Sequence, residues 1–130
     1  MTAYSRAVAT ARGIVGEYGI GEPQDIDLEA IAIDRGVLVT TGPLLGASAR
    51  LVRRGSQGVI RVDSNILNEG QRRFCVAHEL GHFILHEKRG QLELCASEAM
   101  FPWYRSSGQE PEADAFAGEL VMPEELFRRL

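Results

Sequence analysis

Two histidines four residues apart, with a glutamate directly after the first, stand at His78-Glu79-Leu80-Gly81-His82. In a helix, residues four apart lie one above the other, so both imidazoles point to the same place. A tetrahedral cation needs such a pair. Zinc takes neutral imidazole nitrogen at about 2.0–2.1 Å and leaves room for a carboxylate and a water. Glu79 falls beside the histidine stripe, where it reaches that water rather than the metal, as a general base must. Short patterns of this kind also arise by chance among surface or core histidines, so context has to carry part of the weight.

The context is a second helical pattern downstream that opens with the acids Glu110, Glu112 and Asp114. Glu110 and Asp114, four apart, share a face, while Glu112 points elsewhere. Glu110 is expected to bind the metal, and Asp114 to accept a hydrogen bond from the far nitrogen of a ligating imidazole, fixing its tautomer. Pro111 pushes Glu110 towards a cap position and keeps Glu112 open as the third ligand. The bland alternative for all three is that acids favour the positive end of a helix dipole. The donor set suits one zinc ion, and manganese or iron also occupies sites of two histidines and one carboxylate.

The chemistry that follows is metal-assisted peptide hydrolysis: the metal activates water, and Glu79 takes its proton and hands it to the leaving amine. A further donor for the developing oxyanion is sought among His86, Tyr104 and Arg105. His86, one turn beyond His82, has two plainer readings: it lines the cleft or only caps the helix end. Tyr104 and Trp103 line a peptide cleft or pack as loop aromatics.

Elements must hold these groups in place. Apolar residues at three- and four-residue steps predict a helix from Thr2 to Tyr18, closed by Gly19 and Gly21, and a shorter one from Leu28 to Arg35 with Asp25 or Asp27 as N-cap and Gly36 beyond it. Val37 to Thr41, Ala47 to Arg53 and Val59 to Asp63 read as strands, the last two joined by a hairpin loop over residues 54–58. The histidine helix is predicted from Glu69 to Glu87 behind Asn68 as N-cap, with Gly90 as its stop. Gly81 costs about 1 kcal/mol against Ala in a helix interior, which points to a close approach by backbone or ligand. Residues 90–109 read as a short apolar stretch and a loop. The last elements are a helix carrying Ala113, Phe116, Ala117, Leu120 and Val121, ended by Met122-Pro123, and one more short helix over Glu124 to Leu130. This is an α+β arrangement with a small, antiparallel-containing sheet of about three strands and flanking helices.

At 130 residues the chain fits one domain, residues 1–130, large enough to bury a core. A net charge of −4 argues against holding nucleic acid through a broad field of phosphate contacts. The pairs Arg53-Arg54, Arg72-Arg73 and Arg128-Arg129 remain as small basic clusters whose plain reading is a solvated face, preferred for the last because it closes a short acidic-to-basic helix. With no apolar leader at its start and no run near the roughly 20 residues that span a bilayer, the expected setting is cytoplasmic and reducing. Cys75 and Cys95 then read as small buried hydrophobes, with a metal-ligand or redox role as the alternative.

Two blocks, Gln71-Arg-Arg-Phe-Cys-Val-Ala-His-Glu-Leu-Gly-His-Phe-Ile-Leu-His86 and Glu110-Pro-Glu-Ala-Asp-Ala-Phe-Ala-Gly-Glu-Leu-Val-Met-Pro123, closely resemble the ImmA/IrrE family of metallopeptidases in order and spacing. The two-helix prelude, the hairpin and Val59-Ile-Arg-Val-Asp63 look similar too, so the resemblance covers most of the chain. It implies a zincin-like fold with a gluzincin-like site, zinc held by His78, His82 and the acid that maps onto Glu110, which favours Glu110 over Glu112. It also implies a substrate class: repressors of the helix-turn-helix type, cleaved or otherwise relieved of repression. The alternative is a non-catalytic metal-binding module that grips and titrates such a repressor. Two departures stand out. Some members carry further helices or a sensor-like domain, whereas this sequence stops soon after Met122-Pro123 and is expected to be the minimal catalytic unit, and Cys75 stands where Ser or Thr would be expected.

Overall fold

The three- and four-residue apolar steps at the start of the sequence form helix α1, Ala3–Glu17, in a computed structural model that describes residues 2–19, 26–86, 92–95 and 109–122, with backbone alone at 92–95 and 109–110. Thr2 starts it by accepting a hydrogen bond from the Ser5 amide at 3.0 Å, satisfying one of the donors a helix start leaves open. Ala7, Ala11 and Ile14 form its buried stripe. Helix α2, Leu28–Asp34, begins at Asp27, whose carboxylate accepts from the Ala30 amide at 3.1 Å.

Strand β1, Val37–Gly42, leads to a hairpin of β2, Ala49–Arg54, and β3, Gln57–Asp63. The hairpin turn is tighter than the five-residue loop the sequence suggests, because Arg54 pairs directly with Gln57 and only Gly55 and Ser56 remain between them. Gly55 has φ 61°, a value two-residue hairpin turns need and glycine adopts at no steric cost. Buried and exposed residues alternate along β2 and β3, placing Ala49, Leu51, Gly58, Ile60 and Val62 on the core face.

The sheet has four strands in the order β1-β3-β2-β4, one more than the three expected. The addition is β4, Leu92–Cys95, which pairs antiparallel with the outer edge of β2. Four residues carry too little periodicity to announce a strand; the waiting edge of β2 supplies the reason for one. The sheet is mixed, since β1 runs parallel to β3, with Val37 opposite Gly58 and Gly42 opposite Asp63.

Helix α3, Glu69–Leu85, crosses this sheet, and helix α4, Gln109–Val121, packs on α3 and on α1. Because α3 lies between the sheet and α4, every residue from Cys75 to Phe83 is buried. The core joins Ile31 of α2 and Val37 of β1 to Leu51 and Ile60 of the hairpin, Val76 and Leu80 of α3, and Phe116 and Leu120 of α4. Residues 124–130, expected as a further helix, lie outside the described residues. Among the described residues no helix is long and apolar enough to cross a membrane.

Candidate metal centre

Asn68 begins α3 by accepting a hydrogen bond from the Gln71 amide at 2.9 Å, and His86 ends it, its amide donating to the His82 carbonyl at 2.9 Å. Within that frame the four-residue step brings the rings of His78 and His82 to a centroid separation of 4.8 Å at an interplanar angle of 77°. His78 is 3% exposed, His82 1% and Glu79 0%. Taking a carboxylate and two imidazoles out of water costs several kcal/mol unless other groups compensate. A buried helix would be more stable with apolar residues there, so packing alone does not account for the three.

Each imidazole is oriented by a partner. His78 Nδ1 lies 2.9 Å from Asp114 Oδ1 on α4. An ionised carboxylate only accepts, so the ring donates from Nδ1 and its Nε2 becomes the ligating atom. His82 Nδ1 lies 3.1 Å from His86 Nδ1, and His86 Nε2 lies 2.8 Å from Glu112 Oε2. The donor set of two oriented, buried imidazoles with a buried carboxylate between them in sequence fits a divalent metal, with His78 and His82 as the residues that would hold it.

The described residues contain no group of three side chains able to hold a metal ion. Glu110, the expected third ligand, is in the first turn of α4, where the backbone alone is described. Tyr104, Trp103 and Arg105, the other cleft candidates, lie outside the described residues. Glu112, left as a rival ligand or a simple helix-dipole acid, lies with Oε2 2.8 Å from His86 Nε2. His86, offered as an oxyanion donor, has both ring nitrogens committed, to His82 and to Glu112, and its backbone forms the C-cap of α3. The signal that could have linked it to the pair was its own spacing: His78, His82 and His86 repeat every four residues and form one row.

Arg53 does not belong to a solvated face: it is 8% exposed, and its Nη2 donates to the Phe83 and His82 carbonyls at 2.8 and 3.3 Å. Its guanidinium also lies 4.3 Å from the Phe83 ring centroid. A cation at the C-terminal end of α3 meets the negative end of its dipole and satisfies the Phe83 carbonyl, one of the last four of the helix, beside the His82 carbonyl that already accepts from His86. Arg72 makes a surface ion pair with Glu29 at 2.9 Å, and Arg73 donates to the Ile26 carbonyl at 3.1 Å. The close approach at Gly81 comes from a side chain, Phe116 of α4. Cys75 is buried, and the side chain of Cys95 lies outside the described residues.

A family model described as the IrrE N-terminal-like domain, peptidase family M78, matches residues 33–130, which include β1 to β4, the histidine helix and α4. No curated protein matches the chain. That family is one of metallopeptidases, which implies a divalent metal. Its match covers about three quarters of the sequence, and on that ground the chain belongs to the IrrE N-terminal-like family of peptidases.

Proposed function

We propose that this protein is a zinc-dependent endopeptidase acting on a protein substrate, a helix-turn-helix transcriptional repressor, so that repression is lifted. The observation that carries the reading is the burial of His78, Glu79 and His82 on one helix, with His78 held by Asp114. A divalent ion bound there would supply the Lewis acid that activates water. His78 and His82 would hold the ion, with Glu110 at the start of α4 as their partner in the ligand set. Glu79 accepts the proton of the attacking water at its carboxylate and delivers it to the nitrogen of the leaving amine. The buried surroundings exclude bulk water, which strengthens these electrostatic effects. The repressor as substrate rests on the family resemblance, and the acidic chain suits a protein partner better than DNA.

The test is Glu79→Gln, co-expressed with a repressor encoded beside this gene. Removing a general base costs roughly 10²- to 10⁴-fold in rate. Cleavage fragments identified by mass spectrometry are expected with the unaltered protein and not with the variant, while metal analysis finds about one zinc in each. Repressor release that persists in the metal-loaded variant without fragments would replace the protease with a titrating module.

A further inference from the structure

We infer that Glu112 and His86 form a positioning relay that sets the tautomer of His82 and so its ability to ligate metal. The inference rests on the metallopeptidase reading above and extends it to two residues that neither touch substrate nor bind the ion. Asp114 orients His78 directly, at 2.9 Å. At His82 the Nδ1 contact is a second imidazole, His86 Nδ1 at 3.1 Å.

An imidazole facing an imidazole is ambiguous by itself, because either nitrogen can donate. Glu112 removes the ambiguity from the far end. Its Oε2, 2.8 Å from His86 Nε2, can only accept, so His86 carries its hydrogen on Nε2. A neutral His86 then has a lone pair on Nδ1 and accepts from the Nδ1–H of His82. His82 in turn keeps its lone pair on Nε2, the atom a metal requires. With His86 neutral, the direction of the two hydrogen bonds from Glu112 to His82 follows from that one carboxylate.

The geometry makes the relay rigid. The side chain of His86 is 8% exposed, and that of Glu112 is 23% exposed. The His82 and His86 rings are 5.2 Å apart with a 50° tilt. The backbone of His86 is fixed as the C-cap of α3 by its amide bond to the His82 carbonyl. Glu112 and Asp114, two residues apart on α4, do not share a face, yet each reaches a histidine. The histidine row extends about 12 Å along α3, enough to meet α4 at two points. With Glu112 on one end and Asp114 on the other, α4 orients both imidazoles of the pair.

The test uses the full chain and zinc alone as probe. Zinc affinity is measured by chelator competition for the unaltered protein, for Glu112→Ala, Glu112→Gln and His86→Phe, and for the double variant E112A/H86F. Nitrogen chemical shifts of the His82 ring report its tautomer in the metal-free protein. Glu112→Ala and His86→Phe are each expected to weaken zinc roughly 10- to 100-fold, the size of effect known for groups that orient metal ligands. The double variant should be no weaker than the poorer single one, because one relay is broken once. Glu112→Gln, whose carbonyl still accepts from His86, should recover most of the affinity. The His82 ring should shift from one tautomer to a mixture in Glu112→Ala while the melting temperature of the metal-free chain changes little. Unchanged zinc affinity and an unchanged His82 tautomer in Glu112→Ala would overturn the relay. Failure of the unaltered protein to bind zinc would overturn the metal reading itself, and an uncut repressor would bear only on the substrate.

Discussion

Gly81 of α3 and Phe116 of α4 occupy adjoining space so tightly that a Cβ on Gly81 would lie 2.9 Å from Phe116 Cδ1 and 3.3 Å from its Cβ. The glycine sits between His78 and His82, and Phe116 is fully buried. The contact therefore brings α4, with its acids, up against the histidine helix. Gly81→Ala gains about 1 kcal/mol of helix propensity and loses about 1–3 kcal/mol to overpacking, since a ring anchored near its backbone has little room to give. Net destabilisation is expected in urea unfolding, partly reversed by Phe116→Leu in the same chain. A more stable single variant would show that α4 can slide away from α3 without penalty.

The 2.9 Å contact between His78 and Asp114 leads to a second expectation. Asp114→Ala should lower zinc affinity roughly 10- to 100-fold, and Asp114→Asn, which retains a carbonyl acceptor, should lower it less. Chelator competition measures both, and equal affinity across the three proteins would show that His78 needs no orienting partner.

Arg53 ties β2 to the last turn of α3 through two carbonyls and the Phe83 ring. Hydrogen bonds from a charged group contribute about 1.5–3 kcal/mol and a cation–π contact about 0.5–1 kcal/mol. Arg53→Ala is thus expected to cost about 2–4 kcal/mol in denaturant unfolding. Arg53→Lys should restore only part, because a point charge does not reproduce the planar fork. A loss within about 0.5 kcal/mol of zero, the range typical of surface sites, would return Arg53 to the solvated face.

Tyr18 donates its hydroxyl to Asp34 Oδ2 at 2.7 Å. That hydrogen bond, followed by the small burial of the ring and the charge of Asp34, raises the phenol above its usual value near 10. A raised folded-state value means the contribution is fully present below the unfolded phenol pKa and is lost as pH rises through the folded one. Ultraviolet titration should show a tyrosine ionising above the usual phenol value, and Tyr18→Phe should abolish that late step. A single unshifted titration in the unaltered protein would remove the Tyr18–Asp34 bond from the folded state in solution.

Much of the architecture was legible in the amino-acid order because it depends on near neighbours. Thr2, Asp27 and Asn68 cap helices within three residues of themselves, and the starts of α1, α2 and α3 follow from them. The alternation in β2 and β3 and the four-residue step from His78 to His82 are equally local. Family membership is also a property of order and spacing, carried by the histidine block and the block that begins at Glu110.

Tertiary structure alone decided what distant segments do to one another. The parallel pairing of β1 with β3 and the recruitment of Leu92–Cys95 depend on which edges are open once the hairpin has formed. Arg53 looked like a surface charge because nothing near it in sequence needs a donor; the carbonyls it satisfies belong to residues 29 and 30 positions later. Glu112 looked like a helix-start acid until α4 was laid against α3 and His86 came within 2.8 Å. The pair of imidazoles was written in the sequence, since one helix turn suffices to bring them together. The partner of His78 was legible as well, since Asp114 was expected to orient a ligating imidazole; the arrangement at His82 was not, because Glu112 reaches His86 from another helix and has no periodicity by which to announce itself.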